Sequence, residues 1–299
     1  MKRGVWARSA RVIGLTAAVM LGAADAAADA ITGDLFYTRN TGTPNINTVS
    51  YSYDGATTFT LGTPTPITTT PGADGITGNP QNSNLLIVGN GSNNISTVNV
   101  STGAVTTISS PVASFHLEVP TANVVLTAGI PGSLARHDIL GDGSLSGGTV
   151  IALSGTDTTV TQIITTPSGF FYTNSGPGGT GSFGTLGFNT GNPETATSAT
   201  TSSLLTSLPA AHGGTYDPFT NTIIIMGEEH ITQLDLAGTI LADITVPGSI
   251  FDQGTVDGLG HLFAASNTGT LSFIDYSASG LIDGSSFLAT VFLASNLDD

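Results

Sequence analysis

Hydrophobic and polar positions alternate in short runs along this chain, and one arrangement returns at regular intervals. Each copy has a polar residue, a few small or apolar residues, a turn, an apolar strand and a second, alternating strand. The copies are led by Asp74, His116, His212 and Asp252, with a weaker copy led by Thr161. These leading positions are 40 to 51 residues apart. A period of this length, with several short strands in each unit, is typical of a β-propeller.

Each copy holds four segments of strand length. In the copy led by His212 they are 212–216, 222–226, 231–236 and 240–246. Pairs such as Thr102-Gly103 suit the tight turns of hairpins, and no segment keeps a helical period. Since about 270 residues divided by a period of about 45 gives six, we predict an all-β, six-bladed propeller with four-stranded blades. A seven-bladed propeller and a β-sandwich are the alternatives.

The two ends of the chain bear on how such a ring would close. Residues 33–38 match the second strand of a copy, but no first strand precedes them. Residues 296–299 resemble 73–75, so the sequence predicts that this tail begins the missing inner strand. Two alternatives stay open: the chain is cut short of its natural end, or the outer strand 287–293 closes the ring.

The first thirty residues differ in composition from the rest. Four basic residues in the first eleven positions precede an apolar run at 12–24, and a small-residue stretch at 24–30 holds two A-x-A sites. This order predicts a secretory signal peptide over residues 1–30 and a single propeller domain over 31–299. We therefore expect a secreted, periplasmic or extracellular bacterial protein. No later apolar run is long enough to span a membrane after cleavage.

Charge narrows the expected partners. The full chain has a formal net charge of −15, and without residues 1–30 only Arg39 and Arg136 remain against 19 Asp and Glu, which gives −17. A surface without lysine cannot neutralise phosphates, so nucleic acid is excluded as a partner. A small molecule or an extracellular carbohydrate is predicted instead. The absence of cysteine excludes disulfides and thiolate-ligated metals, and a closed ring without a long free edge predicts a monomer.

The leading residues of the copies are the candidate site, because matching strand starts form a ring at one mouth of a propeller channel. This ring holds Asp74, His116, Thr161, His212 and Asp252, with Asp298 as a sixth member. Two positions beyond His116, Glu118 points the same way. The predicted metal ligands are Asp74, His116, Glu118, His212 and Asp252, and the predicted catalytic residues are His116, His212 and Glu118. The carboxylates favour Ca²⁺ or Mg²⁺, while two histidines also admit zinc or manganese.

A structural interpretation of the same ring stays open. Asp and His at these positions can hydrogen-bond the backbone of a neighbouring blade and so hold the ring together. Outside the ring, His137 is predicted to be a solvated surface residue of an outer strand. His261 falls at a turn where other copies carry Asn or Thr.

Residues 74–76, 84–86 and 258–267 resemble blades of the broad NHL, YncE and SMP-30/gluconolactonase-like propeller superfamily. Gluconolactonase-like members hold a divalent cation in the channel with Glu, Asn and Asp. The resemblance implies Asp74, Glu118 and Asp252 for that role here, beside two histidines and no Asn. Virginiamycin B lyase-like propellers use His and Glu with magnesium, to which the set of His116, Glu118 and His212 is similar. The composition is also similar to that of exported proteins with a PEP-CTERM sorting tag.

These observations leave two functional hypotheses. The first is an extracellular binding or scaffold propeller that acts through its channel mouth, with or without a bound divalent cation. The second is a metal-dependent lyase or lactonase-like hydrolase that uses the channel ring. The sequence does not decide whether the protein is an enzyme.

Overall fold

The computed structural model describes residues 30–130, 132–175, 180–209 and 211–299. The predicted signal peptide lies outside these ranges except for Ala30. All regular structure in the described residues is β-strand. These residues contain no helix that is long and apolar enough to cross a membrane. In chain order the strands are β1 (Ile31–Thr38), β2 (Ile46–Tyr53), β3 (Phe59–Leu61), β4 (Thr65–Thr68), β5 (Ile76–Gly78), β6 (Leu85–Ser92), β7 (Asn94–Asn99), β8 (Val105–Ser109), β9 (Leu117–Thr121), β10 (Val124–Ile130), β11 (Ser133–Asp138), β12 (Thr149–Gly155), β13 (Gln162–Thr166), β14 (Gly169–Ser175), β15 (Thr180–Phe188), β16 (Ser198–Pro209), β17 (Gly213–Asp217), β18 (Thr222–Met226), β19 (Glu228–Leu234), β20 (Ile240–Val256), β21 (His261–Ser266), β22 (Thr270–Asp275) and β23 (Phe287–Phe292).

These strands form antiparallel meanders that are grouped into four sheets. Strands β1–β4 and β5–β8 each form a four-stranded sheet. An eight-stranded sheet consists of the meanders β9–β12 and β13–β16, joined through parallel pairing of β12 with β16. In the seven-stranded sheet, the 17-residue β20 pairs with β19 along its first part and with β21 along its last part. The all-β prediction is confirmed, and the arrangement is propeller-like.

The hydrophobic pattern explains which strands are central in each meander. All five residues of β18 are buried, as are all six of β21, because both faces of these strands pack against neighbouring sheets. The outer strand β12 instead alternates between exposed and buried positions, as expected for a strand with one solvated face. The predicted turn glycines, such as Gly103 with a φ of 70°, adopt the positive φ that tight hairpins require.

The inner strands lie side by side around a central axis. Strand β5 contacts β9, β9 contacts β13, β13 contacts β17, and β17 contacts the last part of β20. The tail completes this circle, because the Thr38 amide donates to the Asp299 carbonyl at 2.8 Å and the Asp298 amide to the Thr38 carbonyl at 3.2 Å. The tail therefore occupies the inner position beside β1, as its likeness to 73–75 predicts. The outer strand β23 does not close the ring, since it pairs with β22.

An aromatic core joins the first sheet to the last. Phe59 stacks on Phe273 with ring centroids 4.4 Å apart, and Tyr53 stacks on Phe287 at 5.3 Å. Phe273 is fully buried. Full burial of such a side chain contributes about 1.5–3 kcal/mol, so these contacts help to hold the two ends of the chain together around the channel.

Candidate functional site

Three leading residues of the repeat meet inside the channel. His116 directly precedes β9, His212 directly precedes β17, and Asp252 lies in the last part of β20. Gly213 allows the close approach, because a Cβ at this position would overlap the carbonyl oxygen of Asp252. The ring of inner strands therefore brings together residues that are up to 136 positions apart in the chain.

The ligand atoms of these three residues form a small triangle. Nε2 of His116 lies 3.2 Å from Nε2 of His212. Oδ1 of Asp252 lies 2.8 Å from Nε2 of His212 and 3.6 Å from Nε2 of His116. Two of the residues are buried, with exposed fractions of 3% for His116 and 5% for Asp252. The His212 side chain retains 36% exposure and so connects the group to solvent.

Hydrogen bonds alone do not satisfy this triangle. Oδ1 of Asp252 is buried and accepts no hydrogen bond of acceptable geometry, despite its short distance to His212. If Nε2 of His212 is protonated and points towards Asp252, the same N–H group also lies close to Nε2 of His116, because the two Nε2 atoms are 3.2 Å apart. A cation among the three atoms would satisfy all of them at once, which is the condition that a metal site meets.

Two glutamines determine the proton position on His116. The Gln162 amide nitrogen donates to the carbonyl oxygens of Leu117, at 3.3 Å, and Ile163, at 2.7 Å, which fixes the orientation of its amide. Its oxygen then accepts from the Gln253 amide nitrogen, which also donates to Nδ1 of His116 at 3.2 Å. Because Nδ1 accepts, the proton of neutral His116 lies on Nε2 and points into the triangle.

Burial and charge set different protonation states for the three residues. Burial lowers the pKa of His116 to about 4, against the opposing effect of the Asp252 charge. For His212, burial lowers the pKa, but the close contact with Asp252 and the negative charge of Asp252 outweigh burial and the net shift is upward. Burial would raise the pKa of Asp252, yet the close contact with His212 and the histidine charges bring it below its usual range. Asp252 is thus the anionic member of the group.

Further carboxyl groups surround the triangle. Burial, followed by the charge of Asp252, raises the pKa of Asp74 to about 7 and that of Asp298 to about 9. The pKa of Asp299 is raised for the same reasons. Oδ2 of Asp298 and both side-chain oxygens of Asp299 are buried without a hydrogen-bond partner. Burial of these unpartnered oxygens in their charged form lowers the stability of the fold, and protonation or a bound cation would reduce this loss.

Two further residues of the predicted site, Glu118 beyond the ring and Thr161 within it, accept hydrogen bonds from backbone amides. Glu118 is half-buried, and its Oε1 accepts a hydrogen bond from the Thr165 amide at 3.1 Å. Two residues along an extended strand correspond to about 7 Å, so Glu118 lies further along the channel than His116. Burial raises the pKa of Glu118 to about 7. The Thr161 hydroxyl accepts a hydrogen bond from the Ser175 amide at 3.0 Å.

The channel opens on both sides of the triangle. A cavity of about 620 Å³ lies towards the ends of the inner strands and is lined by Glu118, Thr215 and Thr255 among others. A recess of about 190 Å³, which His212 and Glu228 help to line, lies at the strand starts. His212 thus contributes to the small recess, while none of the three triangle residues lines the large cavity.

Sequence reasoning missed Gln162 and Gln253 because strand alternation assigns them to the opposite side from the ring residues. Each directly follows a leading position, Thr161 and Asp252 respectively. The recurrence of glutamine at the same place in two copies is the signal that could have identified them. It does not reveal that the two side chains meet across the channel.

Comparisons with known proteins identify the architecture only. No family model matches the chain, and no curated protein matches it. Its structure matches 1101 solved chains, and a shared fold does not by itself imply a shared activity. One of them is regucalcin from Agrobacterium tumefaciens strain C58, described as a calcium-binding protein. It has a TM-score of 0.54 and 16% identity, and the match covers 75% of each chain. This likeness shows a shared fold.

Proposed function

We propose that the protein is a six-bladed β-propeller that binds one divalent transition-metal ion in its channel through His116, His212 and Asp252. The meanders β1–β4, β5–β8, β9–β12 and β13–β16 would be four blades, and β20 would be shared between two more. The observation that carries the metal site is the triangle of ligand atoms with edges of 2.8, 3.2 and 3.6 Å. Ligands about 2.0–2.1 Å from a tetrahedral ion lie about 3.3 Å from one another.

The ligand chemistry supports zinc or manganese over calcium. Two imidazole nitrogens and one carboxylate suit Zn²⁺ and similar ions, whereas Ca²⁺ and Mg²⁺ prefer oxygen ligands. The carboxylates of Asp74 and Asp298 stand beside the triangle and would offset the charge of a divalent ion. A hard cation held by these oxygens is the alternative that the experiment below distinguishes.

Binding at Nε2 of His116 would require its proton to move to Nδ1. The Gln253 amide then has to turn so that its oxygen, rather than its nitrogen, faces Nδ1. Outer hydrogen bonds of this kind orient a ligating histidine and set its basicity. We propose that Gln253 is such a positioning residue.

A metal-dependent lyase or hydrolase is the second candidate function. Three protein ligands leave a coordination position open, as catalytic zinc sites do, and a ligand-sized cavity lies beside the triangle. An ion in this position would supply Lewis acidity or an activated water.

We propose further that the protein acts outside the cytoplasm on a small molecule or carbohydrate, which the leader-like N-terminus and the acidic, lysine-free composition support.

Metal analysis of the purified protein tests the proposed function. We expect one equivalent of zinc or manganese per chain after dialysis, and tighter calorimetric binding of these ions than of Ca²⁺ or Mg²⁺. Loss of a residue that only orients a ligand costs about 10–100-fold in affinity. His116→Ala and His212→Ala should therefore each weaken binding by at least about 100-fold.

His230→Ala is the matched control, because His230 also pairs with a carboxylate, Asp243 at 3.0 Å, but outside the channel. This variant should bind metal as the wild type does. A wild type without bound metal, or equal affinity in His116→Ala, would contradict the proposal. For the second candidate, turnover of a lactone panel should disappear with the metal and return when it is restored.

A further inference from the structure

The 620 Å³ cavity on the far side of the triangle has the size and lining of a small-molecule site. Ligand sites typically measure about 300–1,000 Å³ and combine an apolar wall with a few polar groups. Here the wall includes Phe36, Tyr37 and Phe263, and the polar groups include Thr215 and Thr255. None of the three ligand residues of the triangle lines this cavity, so it is a separate compartment of the channel.

Three of its lining residues carry carboxyl groups. Asp34 stands exposed at the rim, Glu118 is half-buried in the wall, and Asp299 lies deeper. Both side-chain oxygens of Asp299 are buried and accept no hydrogen bond. None of the described residues that line the cavity is Lys, Arg or His. A partly desolvated cavity that is lined by carboxyl groups and by no basic residue is complementary to a cation.

The shape of the cavity selects the kind of cation. A metal ion alone would fill a small fraction of 620 Å³ and leave the aromatic wall without a partner. An ammonium group on an apolar body would place its charge near Glu118 and Asp299, while its body covers apolar surface. The exposed ring of Phe36 would add cation–π attraction if the charge lies over its face.

We propose that this cavity binds a small organic ammonium compound, with Glu118 and Asp299 receiving the charge and the aromatic wall receiving the apolar body. Asp34 attracts the ligand at the rim. The site goes beyond the metal site proposed above and does not depend on it, because none of its lining residues is a ligand of the triangle.

Calorimetry with a matched pair of probes tests this inference. 2-Phenylethylamine is a cation at neutral pH, and 2-phenylethanol has the same apolar body without the charge. At equal ionic strength we expect the amine to bind about tenfold more tightly than the alcohol, as one charged hydrogen bond would provide. Ca²⁺ alone, as a third probe, should not compete with the amine.

Three substitutions locate the binding. Glu118→Gln keeps an oxygen for the Thr165 amide and should weaken amine binding about tenfold. Asp34→Asn should weaken it only about two- to threefold, because exposed charges interact weakly. Glu228→Gln, a matched change of an exposed carboxylate at the opposite opening, should leave it unchanged.

Performing these titrations on EDTA-treated protein and on His116→Ala separates the two proposals. Retained amine binding in both would support the cavity site whatever the outcome of the metal analysis. Equal binding of amine and alcohol, full amine affinity in Glu118→Gln, displacement by Ca²⁺ or no saturable amine binding would overturn it.

Discussion

Two groups of histidine and carboxylate side chains lie in different parts of this molecule, and they differ in how their atoms are satisfied. One is the channel triangle of His116, His212 and Asp252. The other lies between the first and last sheets, where Nδ1 of His261 is 2.6 Å from Oδ2 of Asp257 and its Nε2 is 3.6 Å from Oδ1 of Asp275. We call this second group the junction network.

Every carboxylate oxygen of the junction network has a partner. Oδ1 of Asp257 accepts from the Leu259 amide, and Asp275 accepts from Tyr53 and from Ser277. In the channel, Oδ1 of Asp252 and Oδ2 of Asp298 are buried without one. The same residue types therefore satisfy one another in the junction network and leave unpartnered oxygens in the channel. The state of the individual atoms, rather than the residue type, distinguishes the two roles.

The largest expected effect comes from breaking the junction network. His261→Ala leaves two partly buried carboxylates without their cation and should lower the free energy of unfolding by about 3 kcal/mol. Denaturant titration with and without EDTA measures this loss, which should not depend on metal. His230→Ala removes an exposed pair with Asp243 and should cost less than about 1 kcal/mol. A loss for His261→Ala that vanishes in EDTA would show that the junction network also binds metal.

In the channel, by contrast, we expect a substitution to raise the free energy of unfolding. Asp298 has a folded-state pKa of about 9, so above its unfolded pKa near 4 the folded protein must retain a proton or bear an unpaired charge. Stability of the metal-free protein should therefore decline as pH rises from about 4 to 9. Asp298→Asn should raise the free energy of unfolding by about 2 kcal/mol at pH 8.

The gain from Asp298→Asn should shrink towards pH 4, where the unfolded chain also binds the proton. Chemical denaturation at pH 8 and pH 4 provides the comparison. A destabilised Asp298→Asn at pH 8 would place the channel carboxyls among the structural pins, with the junction network.

A substitution at Gln253 should affect the channel triangle through its proposed metal affinity, which the junction network does not share. In Gln253→Glu a carboxylate would face Nδ1 of His116. It would accept a hydrogen bond from a proton on Nδ1, so that Nε2 stays unprotonated and free to bind the metal. Affinity for zinc should rise about tenfold, since such outer carboxylates commonly contribute about 10–100-fold. Calorimetry measures it, with Gln81→Glu, an exposed glutamine that bonds Asn123, as control. Weaker zinc binding in Gln253→Glu would mean that His116 does not ligate through Nε2.

The smallest expected effect is the pH dependence of the junction network. Burial lowers the pKa of His261, but the hydrogen bond and charge of Asp257, with the charge of Asp275, raise it overall. Its contribution to stability is thus complete below the unfolded pKa of about 6.5 and is lost as pH rises through the folded value. The difference in the free energy of unfolding between wild type and His261→Gln should therefore fall between pH 6 and pH 9. A difference that grows over this range would contradict the assignment.

Part of the fold could be predicted from the sequence because it is local. The strand at 222–226 appears in place as β18, and the hairpin glycines fall where they were expected. The interpretation of His137 as a solvated residue is wrong: it is fully buried, with its two ring nitrogens beside Ser146 and Ser110. The sequence pattern of β11 does not show that a neighbouring sheet covers this face.

The sequence by itself determined the repeat, the all-β class and the set of leading residues. These features depend on the alternation of side chains along a strand and on the residues of tight turns, which are close together in the sequence. What only the tertiary structure decided is which ring members meet. His116, His212 and Asp252 converge, while Glu118 turns to Thr165, since strand stagger and sheet packing set distances that no spacing records. The link from Gln162 through Gln253 to His116 likewise exists only across the channel, between strands far apart in the chain.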